Sequence, residues 1–180
     1  MRQTRGDGGM VMIGVHFTSK TAEWYTPHII VTRTIATMGA IDLDPCSEGG
    51  GHIPAAAHFT RADNGLLHGW PGRIYMNPPY GREIGKWIVK LASEYAGGRT
   101  IQAVALVPAR TDTAWWNAID ADAVCFIRGR LRFSGASWGA PFPSAVLYLG
   151  NHKLRFEECF GDIGAIWGKV WSATTALSRA

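Results

Sequence analysis

Between Met76 and Gly81 the chain sets an amide, two consecutive prolines and a phenol in a row, Asn77-Pro78-Pro79-Tyr80. These groups suit one chemical problem, the activation of an exocyclic amine on a planar ring. Such an amine is a poor nucleophile because its lone pair is delocalised into the ring. Two acceptors that each take one N–H draw the nitrogen toward tetrahedral geometry and leave the lone pair pointing in a third direction, where an electrophile can sit in line. The Asn77 side-chain oxygen and the Pro78 carbonyl are such acceptors, and neither Pro78 nor Pro79 brings a competing N–H donor. Tyr80 adds a flat ring on which the substrate ring can stack, and Gly81 lets the backbone turn close beside it. A proline-rich turn carrying a half-buried tyrosine would use the same six residues, so the rest of the chain has to decide.

The elements around the loop fall in the order this chemistry needs. Arg73-Ile74-Tyr75-Met76 follows a Pro71-Gly72 turn and reads as a strand that the prolines stop, and Ile84, Trp87, Ile88, Leu91, Ala92 and Tyr95 then recur at helical spacing up to Gly97-Gly98. Upstream, Thr26 as N-cap and Pro27 at the first helical position predict a helix running to about Met38 and closing at Gly39. Ile41-Asp42-Leu43-Asp44-Pro45-Cys46 reads as a short strand ended by its proline, which delivers Asp44 to the Gly-rich stretch Ser47 to Gly51. Carboxylates at such places approach nucleoside cofactors in doubly wound proteins, although a lone Asp44 also suits a turn, and Asp63 suits a cap. Residues 53–70 have the composition for a helix and a short edge strand. Ile101 to Val107 reads as a strand buried on both faces, Thr111-Asp112 as the cap of a helix carrying Trp115, Trp116 and Ile119, and Val124–Ile127 and Ala145–Leu149 as two further strands. Strands alternating with helices predict an α/β domain with a mostly parallel sheet and helices on both faces.

Composition narrows the function classes. At 180 residues with 47% hydrophobic and 18% charged content, the chain is expected to be a loosely held arm, residues 1–20, followed by one globular domain, residues 21–180. No apolar run is long enough to span a membrane and no signal-peptide core is legible, which predicts a cytoplasmic protein. Cys46, Cys125 and Cys159 are an odd, scattered set expected to stay reduced, and Cys46, His52 and His58 match no metal-site spacing, so no metal is expected. A net charge of +4 and eight tryptophans permit a nucleic-acid partner.

The central loop resembles the Asp/Asn/Ser-Pro-Pro-Tyr signature of amino-group methyltransferases that use S-adenosylmethionine and act on adenine N6, cytosine N4 or a glutamine amide. Beside it stand Trp24-Tyr25-Thr26-Pro27, Asp42-Leu43-Asp44-Pro45-Cys46, Ala62-Asp63-Asn64-Gly65-Leu66 with Trp70, Pro108-Ala109-Arg110-Thr111-Asp112-Thr113 with Trp115, and Gly129-Arg130-Leu131-Arg132-Phe133. Together these resemble the phage DNA N-6-adenine methyltransferases, small Dam-like enzymes of bacteriophages and prophages, over roughly residues 20–150. The resemblance implies a Rossmann-like S-adenosylmethionine-dependent fold and methyl transfer to a flipped adenine in duplex DNA. It implies Asn77, Pro78, Pro79 and Tyr80 as the catalytic loop, Thr26 and Pro27 against the methionine part of the cofactor, Asp44-Pro45-Cys46 as the first cofactor loop and Asp63 at the cofactor's adenine. The acidic residue that usually binds the cofactor ribose has no clear counterpart, which leaves Asp44 or Glu48. Cytosine N4, a protein glutamine, or DNA binding without catalysis remain as alternatives.

One last pattern concerns the DNA. Arg128, Arg130 and Arg132 alternate with Gly129, Leu131 and Phe133, so in extended structure the three guanidiniums share one face. With the resemblance, they and Arg110 are expected to contact phosphates. Without it, a charged edge that deters strand pairing is the better reading.

Overall fold

The computed structural model describes residues 25–49, 51–133 and 138–168. The expected arm at residues 1–20 lies outside them, as do Trp24, Gly50 and Ser134 to Ser137.

Seven strands form one sheet in the order β2-β1-β3-β4-β6-β5-β7. They are β1 (Ile41–Ser47), β2 (Ala55–Thr60), β3 (Gly72–Met76), β4 (Thr100–Pro108), β5 (Ala123–Ile127), β6 (Ser144–Leu149) and β7 (Gly164–Gly168). β2, β1, β3 and β4 pair in parallel, whereas β6 runs antiparallel to both β4 and β5, and β7 antiparallel to β5. The sheet is therefore mixed, which corrects the expectation of a mostly parallel one. Strand spacing cannot reveal that β6 inserts between β4 and β5, because period-2 burial looks the same in either direction.

Helices cover both faces, and the strands show why. In β3, Ile74 and Met76 face the side covered by α2 (Ile84–Ala96), while Tyr75 faces the side of α1 (His28–Met38) and α4 (Lys153–Phe160). β4 repeats the pattern, with Ala103, Ala105 and Val107 toward α2 and Val104 and Leu106 toward α1. The helix α3 (Ala114–Asn117) packs beside α2.

Several local expectations shift. α1 starts one residue late: Pro27 is its N-cap, and the Pro27 carbonyl accepts from the Ile30 and Val31 N–H groups at 2.9 and 3.4 Å. The Thr26 hydroxyl is committed elsewhere and does not cap. At the other end Gly39 closes the helix as expected, with φ 84° and its N–H on the Ile35 carbonyl. β1 runs through Pro45 to Ser47 and does not stop at it; the register between β1 and β2 shifts between Asp44 and Ser47, so the proline sits where no ladder donor is demanded. Ala55 to Thr60 is an edge strand and not a helix, and the only helical turn in 53–70 is a short 3-10 turn at Gly65–Leu67. Thr113, not Thr111-Asp112, caps the four-residue α3. The tail, to which the sequence pattern assigned nothing, supplies α4 and β7.

The chain reverses its direction of winding at β1: β2 lies on one side and β3 on the other. Ligands of open α/β sheets bind in the crevice at the carboxyl ends of such strands. Behind that crevice, Trp70 is fully buried, stacks on Trp87 with centroids 5.9 Å apart, and donates its indole N–H to the Gly65 carbonyl at 2.9 Å. This draws Gly65 so close to β1 that a Cβ there would collide with the Pro45 carbonyl. Gly65→Ala is expected to destabilise the fold by about 1–3 kcal/mol, the range for overpacking a tight contact, as read from urea unfolding. A midpoint equal to that of the unmutated chain would show that the segment gives way freely.

Candidate active site

A cavity of about 840 Å³ opens at the carboxyl ends of β1 and β3. The size suits a nucleoside-scale ligand. From the sequence-predicted residues it gathers Thr26, Asp44, Cys46, Asn77, Pro78, Pro79 and Tyr80 into one wall. Thr26 and Asn77, 51 positions apart, meet because the segment entering α1 is hydrogen-bonded to Tyr75 of β3.

The position of Asn77 is set by a hydroxyl relay. Its Nδ2 donates to Thr26 Oγ1 at 3.2 Å, and Thr26 Oγ1 shares a 2.6 Å hydrogen bond with the Tyr75 hydroxyl. Tyr75 is fully buried, and burial pushes its phenol well above the usual range, so it is a neutral partner. With the amide nitrogen held by Thr26, the amide oxygen is turned the other way. Sequence reasoning missed Tyr75. Alternation along β3 put it on the face opposite Ile74 and Met76, but nothing local named a hydroxyl 49 residues upstream as its partner.

Tyr80 is held at both its ends. Its hydroxyl donates to the Leu106 carbonyl at 3.3 Å, and its ring meets Phe142 at 5.4 Å and Phe133 at 6.1 Å, each near perpendicular. Burial also pushes this phenol well above its ordinary value.

The electrostatics of the wall centre on Asp44, which is 4% exposed. Burial, the largest cause, pushes its carboxyl up to about 7, against the Cys46 N–H at 3.2 Å and the Ser47 side chain, which favour the charged form. Glu48 and Glu83 also line the cavity, with Arg61 and His52 as the basic lining residues. Burial, with Asp44 beside it, pushes the Cys46 thiol well up, so Cys46 is no thiolate. An acidic wall with a poorly solvated carboxylate suits a cationic ligand. The apolar and aromatic lining of Tyr25, Ile53 and Leu66 suits a flat heterocycle.

Three residues assigned to the cofactor by resemblance are not part of this wall. Pro27 caps α1, the Pro45 carbonyl packs on Gly65, and the Asp63 carboxylate takes the Thr60 N–H at 2.8 Å and the Thr60 hydroxyl at 2.7 Å. Asp63 thereby fixes the turn that brings Thr60, Arg61 and Asn64 into the lining. Thr60 holds the Asp63 carboxyl below its ordinary value.

The arginine row is also rearranged. β5 ends at Ile127 and Gly129 turns the chain with φ 76°, so Arg128 does not continue the face of Arg130 and Arg132. It donates instead to the Asp162 carbonyl at 3.2 Å. The expected alternation holds beyond that turn: Arg130 and Arg132 are exposed, while Leu131 and Phe133 are buried. Arg110 is exposed just past β4. Among the described residues no cluster of side chains could hold a metal ion, and no helix is long and apolar enough to cross a membrane.

These features define an α/β domain with a cavity at the switch point of a mixed sheet, lined by an amide and a buried carboxylate delivered by adjacent strands. The family model for DNA N-6-adenine-methyltransferase (Dam) matches residues 16–145, and the chain belongs to that family. The comparison with curated proteins gave no match.

The state of Asp44 has a measurable consequence. Its carboxyl lies near 7 in the fold but near the ordinary 3.8 in the unfolded chain, so the fold holds this proton more tightly. The stability this contributes is complete below about pH 4 and is lost as pH rises through 7. Asp44→Asn, which cannot ionise, should therefore melt above the unmutated chain at pH 8, with the gap narrowing toward pH 5, in thermal scans without ligand. Parallel pH profiles for the two proteins would mean that Asp44 is solvated in solution.

Proposed function

We propose that this chain transfers a methyl group from S-adenosylmethionine to the N6 amine of an adenine extruded from duplex DNA. The observation that carries the reading is the meeting of two groups in one cavity: the Asn77 amide, oriented by Thr26, and the buried Asp44 carboxylate. The family supplies the general reaction, and the cavity has room for a nucleoside-sized ligand beside a target base.

S-adenosylmethionine, when bound, supplies a methyl group made electrophilic by its sulfonium. Asp44 and Glu48 would hold its cationic end, and Tyr25, Ile53 and Leu66 would enclose its purine. Asn77 accepts a hydrogen bond from one N6 N–H through its amide oxygen, and the Pro78 carbonyl accepts from the other, which leaves the nitrogen lone pair free to attack. The Tyr80 ring supports the base. Extruding a base costs a few kcal/mol. Stacking on one aromatic returns about 1–3 kcal/mol, and the two hydrogen bonds roughly 0.5–1.5 kcal/mol each, so this loop offsets most of that cost. After transfer the positively charged amine is strongly acidic and loses one of its two protons to water without a matched general base.

The decisive measurement is incubation with labelled S-adenosylmethionine and duplex DNA, followed by nucleoside analysis. N6-methyladenine supports the reading, N4-methylcytosine moves it to the other base, and absence of transfer removes it. Asn77→Ala is expected to lower the transfer rate about 10²–10³-fold, the scale for removing one preorganised polar group from a transition state, with cofactor affinity retained in calorimetry. Turnover close to normal would take Asn77 out of the mechanism.

Arg130 and Arg132 face outward from the segment that packs on Tyr80 and are the best placed cations for the phosphates beside an extruded base, with Arg110 in a supporting place. Replacing both with Gln should flatten the slope of log affinity against log salt by about 1.8, near 0.9 for each lost contact. An unchanged slope would return them to the solvated-edge reading.

A further inference from the structure

Tyr80 sits in the non-repetitive stretch between β3 and α2 and is followed by Gly81, where a Cβ would meet nothing within 4 Å. Regular backbone structure therefore does not fix its ring. What fixes it comes from other elements. The Leu106 carbonyl of β4 takes its hydroxyl, and Phe133 and Phe142 meet the ring at 6.1 and 5.4 Å with interplanar angles of 78° and 81°.

The two phenylalanines belong to the same excursion, the chain between β5 and β6. Its limbs are tied where the Ala140 N–H donates to the Leu131 carbonyl at 2.8 Å. Its return limb is tied to β4 where the Ala109 N–H donates to the Pro143 carbonyl at 2.8 Å, next to Ser144, which pairs with Pro108. Phe133 is 2% exposed and in contact with Phe142 at 6.3 Å, so the pair is a firm wall. On the outgoing limb the side chains alternate, with Leu131 and Phe133 inward and Arg130 and Arg132 outward.

We propose that Phe133 and Phe142 are positioning residues that set the Tyr80 ring for the extruded base. The inference rests on the methyltransferase reading above for its consequence, but the wall itself can be tested apart from activity. Edge-to-face contacts fix ring orientation in a way that an aliphatic side chain of similar volume does not. A reacting base has to be held within a fraction of an ångström, so a loosely held Tyr80 lowers the rate while leaving cofactor binding alone.

The main variant is Phe142→Leu, because Phe142 is only half-buried and the change keeps most of the volume. Fluorotyrosine incorporation labels the five tyrosines, and Tyr80→Phe identifies the signal of Tyr80 as the one that is lost. In the unmutated chain the Tyr80 signal should be broadened or split by slow ring reorientation, and in Phe142→Leu it should sharpen. On a duplex substrate kcat should fall about tenfold, with KM for S-adenosylmethionine within twofold and Tm within a few degrees. Phe142→Tyr should restore kcat, and Phe133→Leu should repeat the pattern of Phe142→Leu. A Tyr80 signal unchanged by Phe142→Leu overturns the positioning role, as does a loss of kcat that follows Tm and is not rescued by Phe142→Tyr. If the ring loosens as expected but the unmutated chain makes no N6-methyladenine, the wall stands and the methyltransferase reading fails.

Discussion

The buried hydrogen bond between Thr26 and Tyr75 is the contact on which the site depends. It joins the segment entering α1 to the interior strand β3, and its Oγ1 end also receives the Asn77 amide. The Thr26 hydroxyl thus links the amide to β3. Phenol and hydroxyl satisfy one another in the interior, so neither is left as an unpaired buried dipole. Because Tyr75 lies on the α1 face of β3 while Ile74 and Met76 lie on the α2 face, the orientation of Asn77 is tied to the packing of both layers. This explains why α1 does not use Thr26 as a cap: the hydroxyl has a partner that matters more to the site.

The reversed strand β6 is the second organising feature. By running antiparallel between β4 and β5, it brings the return limb of the preceding excursion back beside the end of β4, where Tyr80 donates to Leu106. A parallel β6 would start at the opposite edge of the sheet, and Phe142 would be carried away from the cavity. The mixed sheet is thus what allows one excursion to meet Tyr80 on its inner side and leave Arg130 and Arg132 on its outer side.

Much of this was legible in the sequence where the signal was local. The prolines after Met76, the helical spacing from Ile84 to Tyr95 and the glycine at position 39 each act through their own backbone, and the structure follows them. What was not legible depends on partners far along the chain. Pro45 looked like a strand end because the β1–β2 register shift that tolerates it is a property of two strands. Ala55 to Ala57 have helical composition, and only pairing against Ile41 and Leu43 makes them extended. Arg128 matched its neighbours in type and spacing, yet the positive φ at Gly129 sends it to Asp162. The Dam resemblance drawn from scattered segments agrees with the family match over residues 16–145. It carried residue identities better than contacts: Thr26, Asp44 and Asn77 reach the cavity, and Asp63 shapes it from outside.

The protonation states of the wall bear on how such a site can work. Burial makes Tyr75, Tyr80 and Cys46 weaker acids than usual, so all three are neutral near pH 7 and none can serve as a base. The loop at Asn77 holds acceptors that are not titratable at all. Such acceptors can hold N–H donors in fixed directions but cannot themselves remove a proton. Asp44 is the exception in charge, a carboxylate kept in poor solvation, and its ionised form is stabilised once a cation lies beside it. The same burial weakens the fold at alkaline pH, where the carboxylate is charged without a partnering cation.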